Sequence, residues 1–150
     1  MCVLALLASA VLFTQPGSPA QWAFGATVHP DGSTWVELRA TVDEGWHIYA
    51  TQLPSDLGPL PTEVRFSLAE ACALEGPLME PEPVEEYDPN FGVQVRHHSG
   101  QVAFRQQVRV RGAGAIVRGE VEYMACNDKT CLPPVVVPFQ VELPAPAPAK

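Results

Sequence analysis

Proline and glycine interrupt this chain so often that it leaves little room for a helix. The 16 prolines and 11 glycines are scattered through the sequence. Between them lie short runs in which apolar and polar residues alternate with a period of two, the pattern of strands joined by turns. The turn His29-Pro30-Asp31-Gly32-Ser33 separates an expected strand at Trp22 to Val28 from a longer one at Thr34 to Val42, where Val36, Leu38, Ala40 and Val42 share a face. Asp43-Glu44-Gly45 turns the chain into Trp46 to Ala50. A Pro-, Gly- and Leu-rich loop from Thr51 to Pro61 precedes short strands at Thr62 to Ser67 and Cys72 to Glu75.

Prolines at 77, 81, 83 and 89, set among acidic residues, predict an ordered surface loop without regular pairing between Gly76 and Gly92. Strands are expected again at Val93 to His97, at Gln101 to Val110 with Val102, Phe104, Val108 and Val110 on one face, at Ala115 to Met124, and at Val135 to Val141. Eight or nine such strands predict an all-β fold, an immunoglobulin-like antiparallel β-sandwich. The antibody order of Cys, Trp, Cys is missing, since Trp46 precedes Cys72.

The N-terminus bears on compartment, and compartment decides what a cysteine pair means. Val3 to Phe13 is apolar but short for a membrane span, and Ser18-Pro19-Ala20 offers a small-x-small cleavage pattern before Gln21. Residues 1–20 are therefore expected to be a signal peptide and the protein to be periplasmic or otherwise exported, although no Lys or Arg precedes the apolar run. An uncleaved anchor is the alternative. Residues 21–143 are expected to form one domain, and the Pro/Ala tail 144–150 to be disordered. The net charge of −8 lies wholly beyond residue 20 and argues against nucleic acid as a partner. No membrane insertion of the mature chain is expected, and a monomer is.

The chemistry concentrates in Cys126-Asn127-Asp128-Lys129-Thr130-Cys131. Asn127 and Asp128 are turn formers, so the cysteines are expected to face each other across a hairpin, with Cα atoms about 4.5 to 5.5 Å apart and within disulfide range. As a staple, a bond closing six residues stabilises by roughly 2 kcal/mol, against ~3 kcal/mol for a 15-residue loop. At an exposed hairpin it lies open to a partner's thiolate. Three readings stand: redox exchange, a structural bond, and a metal site with His97 and His98. Finger-like ligand spacing is absent, and those two histidines should face opposite sides of a strand. No metal or cofactor is expected. Cys72, in an apolar run, reads as a small buried residue, and His47 as a surface or satisfied strand residue. Acidic surroundings with Asp128 raise a thiol pKa, and Lys129 is the one nearby cation in the segment.

The segment Val121-Glu122-Tyr123-Met124-Ala125-Cys126 through Cys131-Leu132-Pro133-Pro134, with Gly45-Trp46-His47-Ile48-Tyr49 and Asp88-Pro89-Asn90-Phe91-Gly92, resembles the N-terminal periplasmic domains of the thiol:disulfide interchange protein DsbD. The resemblance runs from about Trp22 to Leu143. It implies an immunoglobulin-like electron carrier, reduced by a thioredoxin-like protein and serving periplasmic disulfide isomerases or cytochrome c maturation factors. It further implies that Cys131 bonds to the partner and that Phe91 caps the cysteines from a loop including Asp88, Asn90 and Gly92. Tyr49, Tyr123, Asp128 and Lys129 are expected to line the site. Better-known members have one more residue between the cysteines and carry transmembrane and thioredoxin-like domains, so the expectation here is either electrons from a separate partner or a stand-alone relative with a different client. The competing class is a non-catalytic β-sandwich binding module whose disulfide only shapes a hairpin.

Overall fold

In the computed structural model, which describes residues 11–13, 15–68 and 72–145, every element is a strand and every pairing is antiparallel. A five-stranded sheet has the order β1 (Val11–Phe13), β2 (Ala20–Val28), β3 (Thr34–Val42), β9 (Gln101–Val110), β6 (Cys72–Met79). A three-stranded sheet has the order β12 (Val135–Glu142), β10 (Ile116–Tyr123), β5 (Glu63–Leu68). A third, of four strands, runs β11 (Ala125–Cys126), β4 (His47–Tyr49), β8 (Val93–His98), β7 (Val84–Asp88). The architecture is the expected immunoglobulin-like antiparallel sandwich.

Strict alternation builds the main core. Along β3, Val36, Leu38 and Ala40 are buried while Arg39 and Thr41 are exposed, and every second residue of β2 from Ala20 to Ala26 is buried. These faces meet Val117, Val121, Val137 and Phe139 from the three-stranded sheet. Aromatic rings join the layers, Phe24 stacking on Phe139 at 4.9 Å and Trp22 tilting onto Tyr123 at 5.4 Å. Each buried aromatic or branched side chain stabilises by about 1.5 to 3 kcal/mol relative to exposure. The tight turn between β2 and β3 closes with His29 and Ser33 paired, and Gly32 takes the positive φ of 87° that a side chain would resist.

The region from Gly76 to Gly92 is more regular than its prolines suggest. β6 continues to Met79 through a bulge between Glu75 and Met79 that holds Pro77, and β7 pairs with β8 over its full length. Pro81 and Pro83 precede β7 and Pro89 follows it, while β7 itself is an edge strand with a partner on one side only. Buried Gln106 satisfies the bulge by donating from its amide to the carbonyls of Glu75 and Gly76. Cys72 is buried, as expected.

Residues 1–10 and 146–150, and so half of the expected signal peptide and most of the expected tail, lie outside the described residues. Val11–Phe13 pairs with β2, and both Ser18 Oγ and Gln15 Oε1 hydrogen-bond the hydroxyl of buried Tyr123, at 2.8 and 3.0 Å. Cleavage after Ala20 would remove all of these contacts.

Candidate active site

Register decides which side chains meet around the cysteines. In the third sheet Cys126 is the direct partner of His47, Tyr49 of His97, and His97 of Val84. Partners point to the same face and neighbours along a strand to opposite faces. One face therefore collects Cys126, His47, Tyr49, His97, Val95, Glu86 and Asp88, while Ile48, Ala125 and His98 turn the other way. Ile48 and Ala125 belong to the main core, and His98 sits edge-on to Phe104 at 5.8 Å. The two adjacent histidines thus face opposite sides, as expected. His98 is held by Glu80 at 3.0 Å. Burial favours the neutral form of Glu80, but hydrogen bonds from His98 and Thr51 outweigh it and leave the carboxyl below the usual range.

Cys126 and Cys131 form a disulfide, with Cα atoms 4.1 Å apart, and are joined by an isolated antiparallel bridge. Their turn is organised by Asn127, whose side-chain oxygen accepts from the Lys129 and Thr130 amides. The backbone closes it from Asn127 N to Thr130 O at 2.9 Å and from Leu132 N to Ala125 O at 2.9 Å. The pair is asymmetric: Cys126 is fully buried and Cys131 only partly. The open hairpin expected from sequence is therefore half closed, because β11 tucks Cys126 against β4. Tyr49, Val95 and Cys126 form a small second core, and Phe91, Val93, Leu53, Met124 and Cys131 pack on it.

Phe91, partly exposed on the expected cap loop, packs against the small cluster that contains Cys126. Asp88 anchors the loop. Its side chain accepts from the Tyr49 hydroxyl at 2.5 Å and from the Asn90 amide at 2.8 Å, and its carbonyl accepts from Gly92 N–H at 2.7 Å. Gly92, at φ 70°, completes the turn. Asn90 Nδ2 donates to the Asn127 carbonyl at 2.8 Å, which ties the cap loop to the cysteine turn.

Tyr123, also expected to line the site, lies apart from this cluster. It packs in the main core against Trp22, one strand turn from the cysteines and on the other side of the register break at Met124. Asp128 and Lys129 are exposed at the tip of the turn. His47, expected to be a surface or satisfied strand residue, is the latter: it is buried, with Nε2 3.2 Å from the Tyr49 hydroxyl and 4.0 Å from Asp88 Oδ2. Its ring lies 4.5 Å from that of His97, whose Nε2 bonds Glu86 at 2.7 Å. Burial first, then the neighbouring His97, hold the His47 imidazole below its ordinary value. Burial, reinforced by Asp88, pushes the Tyr49 phenol far up, so it stays a donor. The period-two position of His47 relative to Tyr49 is the signal that places it on this face.

The family model described as thiol:disulfide interchange protein DsbD, N-terminal, matches residues 15–143. No curated protein sequence matches the chain. Among solved structures, the N-terminal periplasmic domain of ScsB from Proteus mirabilis aligns with a TM-score of 0.62 and 18% identity, over 92% of this chain and 52% of that one. The chain therefore spans about half the length of that relative. The reduced DsbD N-terminal domain of Neisseria meningitidis aligns with a TM-score of 0.54 and 17% identity, over 81% and 87% of the two chains. A complex between the DsbD and PilB N-terminal domains of Neisseria meningitidis aligns with a TM-score of 0.56 and 15% identity, over 89% and 92%.

Proposed function

The chain belongs to the family of DsbD N-terminal domains, a thiol–disulfide exchange family, and on that basis we propose that it is an exported carrier relaying electrons through Cys126 and Cys131. The observation that carries the reading is the unequal burial of the two bonded cysteines in a cluster on which Phe91 packs. A partner's thiolate, arriving as the cap loop moves aside, reaches Cys131 and not Cys126. The leaving sulfur is then Cys126, which is already seated beside Tyr49 and His47. Cap-loop residues Asp88, Asn90, Phe91 and Gly92 hold the shield, and Tyr49 forms the floor. Asp128 and Lys129, at the exposed tip, meet the partner.

The donor is a thioredoxin-like protein and the clients are disulfide isomerases or cytochrome c maturation factors of the periplasm. The solved complex of a DsbD N-terminal domain with a PilB N-terminal domain supports a protein partner docking on this fold. The exchange domain ends near Leu143. The leader spans residues 1–20, and the mass of the secreted chain reads the cut directly.

Trapping tests the reading. Cys126→Ser should accumulate a mixed disulfide through Cys131 with a thioredoxin-like donor, whereas Cys131→Ser should accumulate little. Free monomer from both variants, with a bond more reducing than roughly −300 mV, would make the disulfide structural and the domain a binding module.

A further inference from the structure

Exchange at a buried sulfur raises a question that the cysteines alone do not answer, namely where the thiol proton goes. Cys126 is fully buried, and a thiolate stranded there is costly. We infer that His47 is the proton acceptor for Cys126, oriented by the Tyr49 hydroxyl and the Asp88 carboxylate behind it. The inference rests on the carrier reading above and adds a residue to it.

Geometry supplies the first ground. His47 and Cys126 are direct cross-strand partners on one face of the sheet, which puts their Cβ atoms about 4.5 to 5.5 Å apart. Tautomer supplies the second. The single Tyr49 hydroxyl proton is donated to Asp88 Oδ2, so the bond between Tyr49 Oη and His47 Nε2 uses the imidazole proton. Nε2 therefore carries the hydrogen and Nδ1 carries the lone pair. Nδ1 is adjacent in the ring to the carbon bearing Cβ, so the lone pair is on the nitrogen nearer the strand that pairs with Cys126. A nucleophile, a base and a group that orients the base thus lie in series.

Charge supplies the third. The groups facing His47 are His97 from β8, Asp88 and Glu86 from β7, and Asp128 from the cysteine turn. Burial and His97 keep the imidazole neutral and able to accept a proton. Asp88, 4.0 Å from Nε2, then stabilises the imidazolium once it forms.

The step balances in both directions. When a client is held by Cys131 as a mixed disulfide, Cys126 gives its proton to His47 Nδ1 and its sulfur attacks the Cys131 sulfur. The Cys126–Cys131 bond forms, the Cys131–client bond breaks, and the electron pair leaves with the client sulfur as thiolate, so the client is reduced and the pair oxidised. When a donor thiolate attacks Cys131 instead, the Cys131–donor bond forms, the Cys126–Cys131 bond breaks, and the departing Cys126 thiolate is protonated through His47 Nδ1 by a proton that the imidazole draws from solvent.

The experiment is a stopped-flow measurement of exchange between the full chain and thioredoxin as the probe, across pH, for the unaltered protein, His47→Gln and Tyr49→Phe. His47→Gln should slow exchange about 10- to 100-fold near neutral pH, with the deficit closing as alkaline pH ionises the thiol directly. Tyr49→Phe should slow it less and shift the pH profile. Equal rates and profiles for the unaltered chain and His47→Gln would overturn the assignment while leaving the carrier reading intact. Absence of exchange by the unaltered chain would overturn both. Should His47→Gln not fold, the unaltered profile decides: a limb set by a group titrating below the thiol supports the assignment, and a single limb at the thiol's own pKa sinks it.

Discussion

The two cores of this molecule are built on opposite terms. Between the five- and three-stranded sheets the buried side chains are aromatic and aliphatic, with Trp22, Phe104, Leu38 and Val121 among the most deeply placed. Over the third sheet only Tyr49, Val95 and Cys126 are fully buried, and charged or polar His47, Asp88 and His97 share their face. Short strands couple the regions. β4 sends Ile48 into the large core and His47 with Tyr49 to the site, and β11 divides Ala125 from Cys126 in the same way. A rigid frame therefore positions a small polar site through single-residue alternation, and a slip of one residue in either strand would exchange the two environments.

The largest expected effect breaks the frame. Phe104→Ala removes a ring with no exposed surface and should cost about 3 to 5 kcal/mol in urea denaturation. Its loss should loosen the site indirectly through Ile48 and His98. A cost near zero would mean that the large core does not support the small one. Tyr49→Phe comes next. It leaves the buried Asp88 carboxylate short of a donor at 2.5 Å, and should cost about 1.5 to 3 kcal/mol. The same site gives the fold an acid sensitivity. His47 has a folded-state pKa below the unfolded value of about 6.5, so its contribution is whole above that pH and is lost as pH falls toward the folded value. A stability curve flat from pH 7 to pH 5 in the unaltered chain would remove this contribution.

Much of the large core was legible because period-two alternation is an intrinsic strand signal. Thr34 to Val42 and Gln101 to Val110 occur with the bounds read from sequence. The cysteine pair was legible too, since turn formers between flanking strands dictate opposition. The polar site was not, because its residues come from β4, β7, β8 and β11, whose mutual register no local pattern encodes. Asp88 and His47 are 41 positions apart by their numbers, and only the β4–β8–β7 ladder brings them together. Strand β7 was hidden by its prolines, which sit just outside it rather than within it. Tyr123 misled in the opposite sense. Proximity in sequence to Cys126 suggested the site, yet Met124 and the change of strand between them turn its ring into the large core.

The smallest expected effect bears on the cap loop, where stability and reactivity should part. Asn90 is exposed, and its side-chain amide donates to the Asn127 carbonyl at 2.8 Å. Removing it by Asn90→Ala should therefore change global stability by no more than about 1 kcal/mol. If that bond holds the loop shut over Cys131, the same energy acts on the closed-to-open equilibrium, and about 1 kcal/mol raises the open population roughly fivefold. Reduction of the disulfide by thioredoxin should accelerate by up to about that factor, while the urea midpoint moves little. The frame substitutions should do the reverse, lowering stability far more than they alter the rate per folded molecule. An Asn90→Ala rate equal to that of the unaltered chain would mean that Phe91 packing alone sets access to the sulfurs, and that the hydrogen bond between the loops is incidental to the chemistry beneath them.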